Sequence, residues 1–233
     1  MKKITFFFVA SILFFLSNPI VAETPLLSAI EPNSYLPLGE NLLYKVHYGW
    51  LNAGFVTMTI DRDTPIVNEE RCYRIRVTGE SKGLLYLFLK MKNHFESYLG
   101  TTSLLPQHFH RDIHENTYRK NEKVYFDYKT RHLIVEQWDD AGENIITKNE
   151  FAMCENLQDI VSMWYILRNL DFTTLEIGEI IYSPIFFDDI LYEKFKAKFL
   201  GRRAIKTKLG TLNTLVLAPL VPFTATGKSI FAG

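Results

Sequence analysis

Four potential metal ligands alternate along one short run, His108-x-His110-x-Asp112-x-His114. Alternate residues of a strand project from one face, so the four would stand in a row. Zinc ligands sit about 2 Å from the ion, whereas same-face neighbours on a strand lie ~6.5–7 Å apart. Two adjacent members at most reach one ion, and the rest would have to come from another strand. The row reads instead as the solvated face of an antiparallel strand, and no metal is assigned to it. Signatures of nucleophilic catalysis are missing: the chain has no Gly-x-Ser-x-Gly elbow, no His-Glu-x-x-His and no phosphate-cradling glycine loop. The acid pairs Asp139-Asp140 and Asp188-Asp189 fall in turn-like contexts, where carboxylates serve as turn formers. Glu96, in Phe95-Glu96-Ser97, reads as a half-exposed acid beside a core phenylalanine. No catalytic residue and no cofactor are expected.

Aromatic residues make up 14% of the chain, enough to offer a binding chemistry in place of a reaction. Tyr44, Tyr48, Tyr86, Phe88 and Trp164 form the candidate ligand-binding set, since such rings would line a hollow inside a curled sheet for an apolar or lipid-like ligand. The competing reading, which the composition favours, is that the rings pack a helix against a sheet.

That helix is the clearest element. Across residues 156–168, Leu157, Ile160, Val161, Trp164, Leu167 and Arg168 recur at helical spacing, and Met163, Tyr165 and Ile166 widen the apolar surface. Asp159, Ser162 and Asn169 are left as a narrow polar edge, and Asn156 is placed to cap the first turn. A helix this apolar must be covered on most sides. The flanking sequence offers mainly alternating strands, near 42–48, 55–61, 71–80, 90–99, 108–118, 122–128, 132–138, 145–151, 180–187, 191–200, 202–209 and 215–218. The run Leu84-Leu85-Tyr86-Leu87-Phe88-Leu89 fits a helical turn or a buried strand equally. The expected fold is therefore mainly β, a single curled antiparallel sheet, open or barrel-like, wrapped around one apolar helix.

The first residues read as a secretory signal: Lys2-Lys3, an apolar run over 4–16, then Ser17-Asn18-Pro19 and a cut after Ala22. The run is shorter than the ~20 residues a spanning helix needs. The expected division is a signal peptide at 1–22, an extended lead-in at 23–37 and one β-rich domain at 38–233. The location expected from it is the periplasm or another extracytoplasmic space. Once Lys2 and Lys3 leave, 24 basic residues face 26 acidic ones. That balance points to neither nucleic acid nor an anionic surface as partner. Cys72 and Cys154 are the only cysteines; in an exported chain they either pair as a disulfide or remain as two buried thiols.

The order of the signals resembles a known family. Gly39-Glu40 with Leu42, Tyr44, Val46, Tyr48 and Gly49, then Ala53-Gly54, Phe95-Glu96-Ser97, Leu105-Pro106 and Val124-x-Phe126-Asp127 carry the first half of the likeness. Asp159-Ile160-Val161-Ser162 with Tyr165 and Leu167-Arg168, Gly178-Glu179, Leu200-Gly201-Arg202-Arg203 and Ala218-Pro219 carry the second. Together they resemble the bacterial exported proteins grouped as domain-of-unknown-function family 3108. The resemblance implies an extracytoplasmic, mainly antiparallel β fold with a buried helix, and no established activity. In that family the chain continues past a segment like Thr226-Gly227-Lys228 into closing strands, so an open sheet edge is expected here. The expected function is a non-enzymatic envelope module binding an apolar or lipid-like ligand, acting as a monomer. The alternative is an envelope interaction protein presenting a sheet edge or the 84–89 run.

Overall fold

The structure is a computed structural model that describes residues 23–29, 35–48, 51–207 and 210–220. The expected signal peptide, and the segment after residue 220, lie outside the described residues. The fold is mainly β, as expected, but its strands are divided between two sheets.

Eight antiparallel strands build the large sheet: β2 (Asn41–Tyr48), β3 (Leu51–Ile60), β5 (Glu70–Ser81), β6 (Met91–Gly100), β7 (Pro106–Glu115), β8 (Tyr118–Asp127), β9 (His132–Trp138) and β10 (Ile145–Ala152). They lie in chain order from β2 to β10, each paired with the next, and β4 (Ile66–Val67) adds a short pairing onto β5. Meander order follows from the short turns that join the strands. The small sheet runs β1 (Glu23–Pro25), β11 (Ile180–Phe187), β12 (Ile190–Thr207) and β13 (Gly210–Leu220). The lead-in is therefore not simply extended: β1 pairs parallel with β11, and a 3-10 turn at Leu26–Ala29 buries Leu26. Neither sheet closes into a barrel among the described residues; β2 and β10 end the large one.

Between the sheets lies helix α2 (Ile160–Leu167), touching β5 and β6 on one side and β11 on the other. Val161, Met163, Tyr165, Ile166 and Leu167 are buried and join a core with Ile75, Leu99, Phe109, Val124, Phe126, Leu133, Ile181 and Ile185. Three details depart from the sequence reading. The helix begins at Ile160, because the Gln158 N–H donates to the Pro184 carbonyl (3.0 Å) and the Gln158 carbonyl accepts from Phe186 N–H (2.9 Å). The chain is thus held extended through residue 158, and Asn156 sits in a left-handed turn (φ 59°) instead of capping. Trp164 is 48% exposed, while Asp159 and Ser162, expected at the wet edge, are buried. Finally, the segment from 190 to 207 is one strand: Gly201 makes a bulge at φ 97° where a turn was expected.

Candidate functional site

The helix is rotated by its two small polar residues. Asp159 is the N-cap: its Oδ1 accepts from the Val161 and Ser162 N–H groups (2.7 and 2.8 Å), and the Ser162 hydroxyl accepts from the Asp159 N–H (3.0 Å). That reciprocal box needs both side chains on the turn's inner side. Ser97 of β6 completes the group by donating to Asp159 Oδ2 at 2.6 Å. Burial pushes the Asp159 carboxyl up to about 6, against the opposing pull of these three donors. Ser97 and Asp159 are 0% and 1% exposed, so no substrate reaches them, and no histidine stands in the group to act as base. This centre fastens the helix to the large sheet.

The other face of the large sheet carries the histidine row. His108 stacks between Tyr98 and Tyr125, at ring-centroid distances of 5.5 and 4.8 Å. Burial pushes its pKa down to about 4, which keeps the ring neutral at physiological pH. His110 pairs with Asn121 (3.0 Å), and His114 with Asp112 (3.0 Å). The four residues share a face but bond to different neighbours, and no group of three metal-ligating side chains converges among the described residues. Glu96 is buried on this face and takes a two-point ion pair from Arg74 (3.0 and 2.9 Å). The sequence reading made Glu96 a half-exposed acid beside a core phenylalanine; it is buried instead, Phe95 is only partly buried, and the residue that enters the core is its neighbour Ser97.

Of the five candidate ligand-binding residues, the four whose side chains are described stand exposed and share no common hollow. Tyr44 is exposed on edge strand β2, and the side chain of Tyr48 on the same strand lies outside the described residues. Tyr86 and Phe88 are exposed in the single turn α1 (Leu85–Phe88), which buries none of its residues. Trp164 faces solvent on α2. The 84–89 run thus forms a helical turn in the connection from β5 to β6, beyond the reach of either sheet's hydrogen bonding.

Cys72 and Cys154 form no disulfide; both are free. Bridged Cα atoms must lie within about 7 Å, whereas Cys72 is on β5 and Cys154 follows β10, with four strands between them in the sheet. Burial raises both thiol pKa values, that of Cys72 to about 11, so neither is an activated nucleophile.

Two further contacts hold α2. Arg168, its C-cap, donates both terminal nitrogens to Glu40 at 2.7 Å each, which raises its pKa above the ordinary value. The Gln158 amide donates to the Leu104 carbonyl (3.1 Å), beside Tyr128, whose hydroxyl donates to the Pro106 carbonyl (2.6 Å).

A family model described as "Protein of unknown function (DUF3108)" matches residues 43–232. The chain belongs to this family. No curated protein and no solved structure matches it. In this DUF3108 chain the short motifs that carried the resemblance meet in space. Gly39-Glu40 meets Leu167-Arg168 through the Glu40–Arg168 pair, and Phe95-Glu96-Ser97 meets Asp159-Ile160-Val161-Ser162 through Ser97 and Asp159. Gly178-Glu179 accepts the Thr24 hydroxyl at 2.5 Å, tying β1 to the helix-side sheet. Every one of these contacts positions structure. In this chain these contacts fasten the helix, while exposed apolar side chains stand elsewhere, among them Leu43, Tyr44 and Val46 on edge strand β2 and those of the turn α1.

Proposed function

We propose that this protein is an exported, non-enzymatic binding module of the cell envelope that meets its partner on its outer surface instead of enclosing a ligand. The observation that carries the reading is where apolar side chains are spent. The space between the sheets is filled by α2; the recess beside Met163 and Leu167, against Ile181 and Phe195, holds about 10 Å³. Ligand pockets for small molecules run from about 300 to 1,000 Å³. Two recesses of that size, about 590 Å³ beside Tyr125 and Tyr128 and about 460 Å³ beside Leu26 and Tyr182, are lined by no residue of α2 and lie open at the surface. Outside, Leu84, Tyr86, Leu87 and Phe88 stand exposed together on one turn. Export follows from the apolar leader at 4–16 and the small residue at its end, and a non-enzymatic role from the inaccessibility of Ser97 and Asp159.

A second surface favours a protein partner. Among the described residues strand β2 is the last of the large sheet and pairs with β3 alone, so its outer backbone groups can accept an added strand, with Leu43 and Val46 flanking it.

Native mass spectrometry of protein purified from its own envelope tests the outer-surface reading. The expected result is a chain free of tightly held small ligand. One lipid retained per chain through gas-phase transfer would show that an interior site opens, and the reading would fall.

A further inference from the structure

We propose that the α1 end of the large sheet docks onto a bilayer surface bearing anionic phospholipid, with the α1 turn entering the lipid and a basic rim holding the headgroup phosphates. The inference rests on the outer-surface reading above and names its partner.

The apolar part is concentrated. Leu87 is 70% and Phe88 76% exposed, with Leu84 and Tyr86 beside them also exposed. Four large apolar side chains exposed on one short segment are what a soluble domain avoids unless the patch meets something. The turn is also held firmly. Asn116, between β7 and β8, accepts from Lys90 N–H through its side chain (2.9 Å), donates its own N–H to the Lys90 carbonyl (2.9 Å) and donates its amide to the Phe88 carbonyl (3.4 Å). α1 is therefore presented on a fixed support.

The charge beside it has one dominant sign. A recess of about 370 Å³ adjoins α1 and is lined by Lys82, Lys90, Lys92 and Arg119, with Tyr86 forming one wall. Lys90 lies 5.9 Å from the Tyr86 ring centre, at the junction of cationic and apolar surface. One carboxylate lines the recess, Glu80, and it pairs with Lys82 (3.0 Å); outside it Asp112 pairs with His114 (3.0 Å), and Glu115, bonded to the neutral Asn93 amide (2.6 Å), keeps its charge. Lys90, Lys92 and Arg119 have no carboxylate partner in an ion pair among the described residues, and Arg119 donates only to the carbonyls of Asn116 and Tyr118. Exposed aromatic and aliphatic tips ringed by such cations match the bilayer boundary, where apolar side chains enter the acyl region and Lys or Arg reach phosphate. The acidic β9–β10 turn, with Asp139, Asp140 and Glu143, lies beside β8 and so near Arg119, but it stands three to four strand steps from β6 and Lys92, roughly 15–20 Å away. That exceeds the ~8 Å over which charge acts at physiological salt, so the turn offsets Arg119 and leaves Lys90 and Lys92 as the dominant cations. Among the described residues no helix is long and apolar enough to cross a membrane, so contact here means lying against the surface.

Vesicle co-sedimentation of the chain lacking residues 1–22 tests this, that form being required because the apolar run at 4–16 would itself partition into lipid. Binding is expected on phosphatidylcholine vesicles containing phosphatidylglycerol, several-fold weaker on phosphatidylcholine alone, and falling as salt rises. The double variant Leu87→Asp with Phe88→Asp is expected to lose binding at least tenfold with an unchanged melting temperature, since neither side chain packs in the core. Replacing Lys90, Lys92 and Arg119 by Gln is expected to abolish the salt dependence. Equal binding to both vesicle types, or none at low salt, overturns the proposal. Should vesicles fail while a photocrosslinker at Leu87 traps one defined envelope protein, the lipid inference falls and the outer-surface reading stands.

Discussion

Asp159 sets the character of the centre. A carboxylate removed from water is costly unless donors surround it, and here two backbone N–H groups and the Ser97 hydroxyl do so without fully compensating burial, hence a pKa near 6. The folded-state value stands above the ordinary 3.8. The native protein thus takes up the proton more readily than the unfolded chain, and stability from this group is complete below about pH 4 and lost as pH rises through about 6. Urea denaturation followed from pH 4 to 7 is expected to show a decline of about 2–3 kcal/mol from this source, each tenfold difference in proton affinity between the folded and unfolded chain being worth about 1.4 kcal/mol. Asp159→Asn keeps an acceptor for the cap and removes the titration, so the decline should be read as the parent-minus-variant difference; His108, held down to about 4 by burial, adds a slope of opposite sign that both proteins share. Asp159→Ala should lie below Asp159→Asn at every pH by about 2 kcal/mol, the cost of a lost cap and an unpaired Ser97 hydroxyl. A parent-minus-Asp159→Asn difference with no slope between pH 4 and 6 would mean that the carboxyl is not buried as described. Residue types showed that 159 and 162 belong to a helix start, but not which way they face. A polar residue on an apolar helix reads as a wet edge unless its partner is known, and the partner, Ser97, lies 62 positions away.

At the scale of elements, alternation along the chain revealed nearly every strand of the large sheet, because each has one face on the core and one toward solvent. Periodicity carries no information on partition between sheets, so the break between β10 and β11 was invisible in it; the helix supplies both cover and boundary. What joins the sheets at their far side was equally hidden. Arg111 on β7 and Glu122 on β8 are both buried, with Arg111 Nε 2.7 Å from Glu122 Oε1. Asp188, in the left-handed turn between β11 and β12 (φ 55°), accepts from Arg111 (2.7 Å) and from Lys120 (2.8 Å). Burial works against the Arg111 charge, yet the carboxylates of Glu122 and Asp188 outweigh it and hold the pKa above its ordinary value. In the sequence, Asp188-Asp189 looked like a solvated turn former, and a turn it is, but one that latches the small sheet to the large. Arg111→Met should cost about 3–5 kcal/mol, because Glu122 is left charged and buried with Lys120 alone, 3.1 Å away. Arg111→Met with Glu122→Leu should recover most of that loss, since two well-packed apolar residues replace a buried pair at little net cost. Chemical denaturation of the two singles and the double gives the coupling; simple additivity would show that the two side chains act independently.

For the whole molecule, the question is how much of the chain the helix-centred core actually holds. Among the described residues the two paired strands of the β12–β13 hairpin run out beyond it. From Arg202 to Thr207 and from Gly210 to Asn213 every described residue is exposed, on both faces, although the ladder is continuous from Arg202↔Leu215 to Thr207↔Gly210. Toward the base the same strands are anchored: Phe199 is buried and tilts against Phe172 at 5.3 Å, and Ala197 and Phe195 are buried beyond it. The bulge at Gly201 marks the change, since Ile177 lies against its Cα so closely that an added Cβ would come within 3.0 Å of it. An isolated two-stranded ribbon adds little stability of its own in water, so the arm beyond Gly201 opens at small cost while the base opens only with the core. Deleting residues 204–213 and closing the ribbon with an Asn-Gly turn should therefore leave the melting temperature within about 2 °C of the parent, a change below about 0.5 kcal/mol for a chain of this size. Cutting deeper, to remove residues 199–217, takes out Phe199 with its partner Leu217 and should lower it by about 6–10 °C, in keeping with a loss of about 3 kcal/mol for one buried ring. Amide exchange gives the same division without mutation: fast exchange across 203–214 and slow exchange at 195–199. If the shorter deletion unfolds the protein, the arm is part of the core after all, and the division drawn at Gly201 is misplaced.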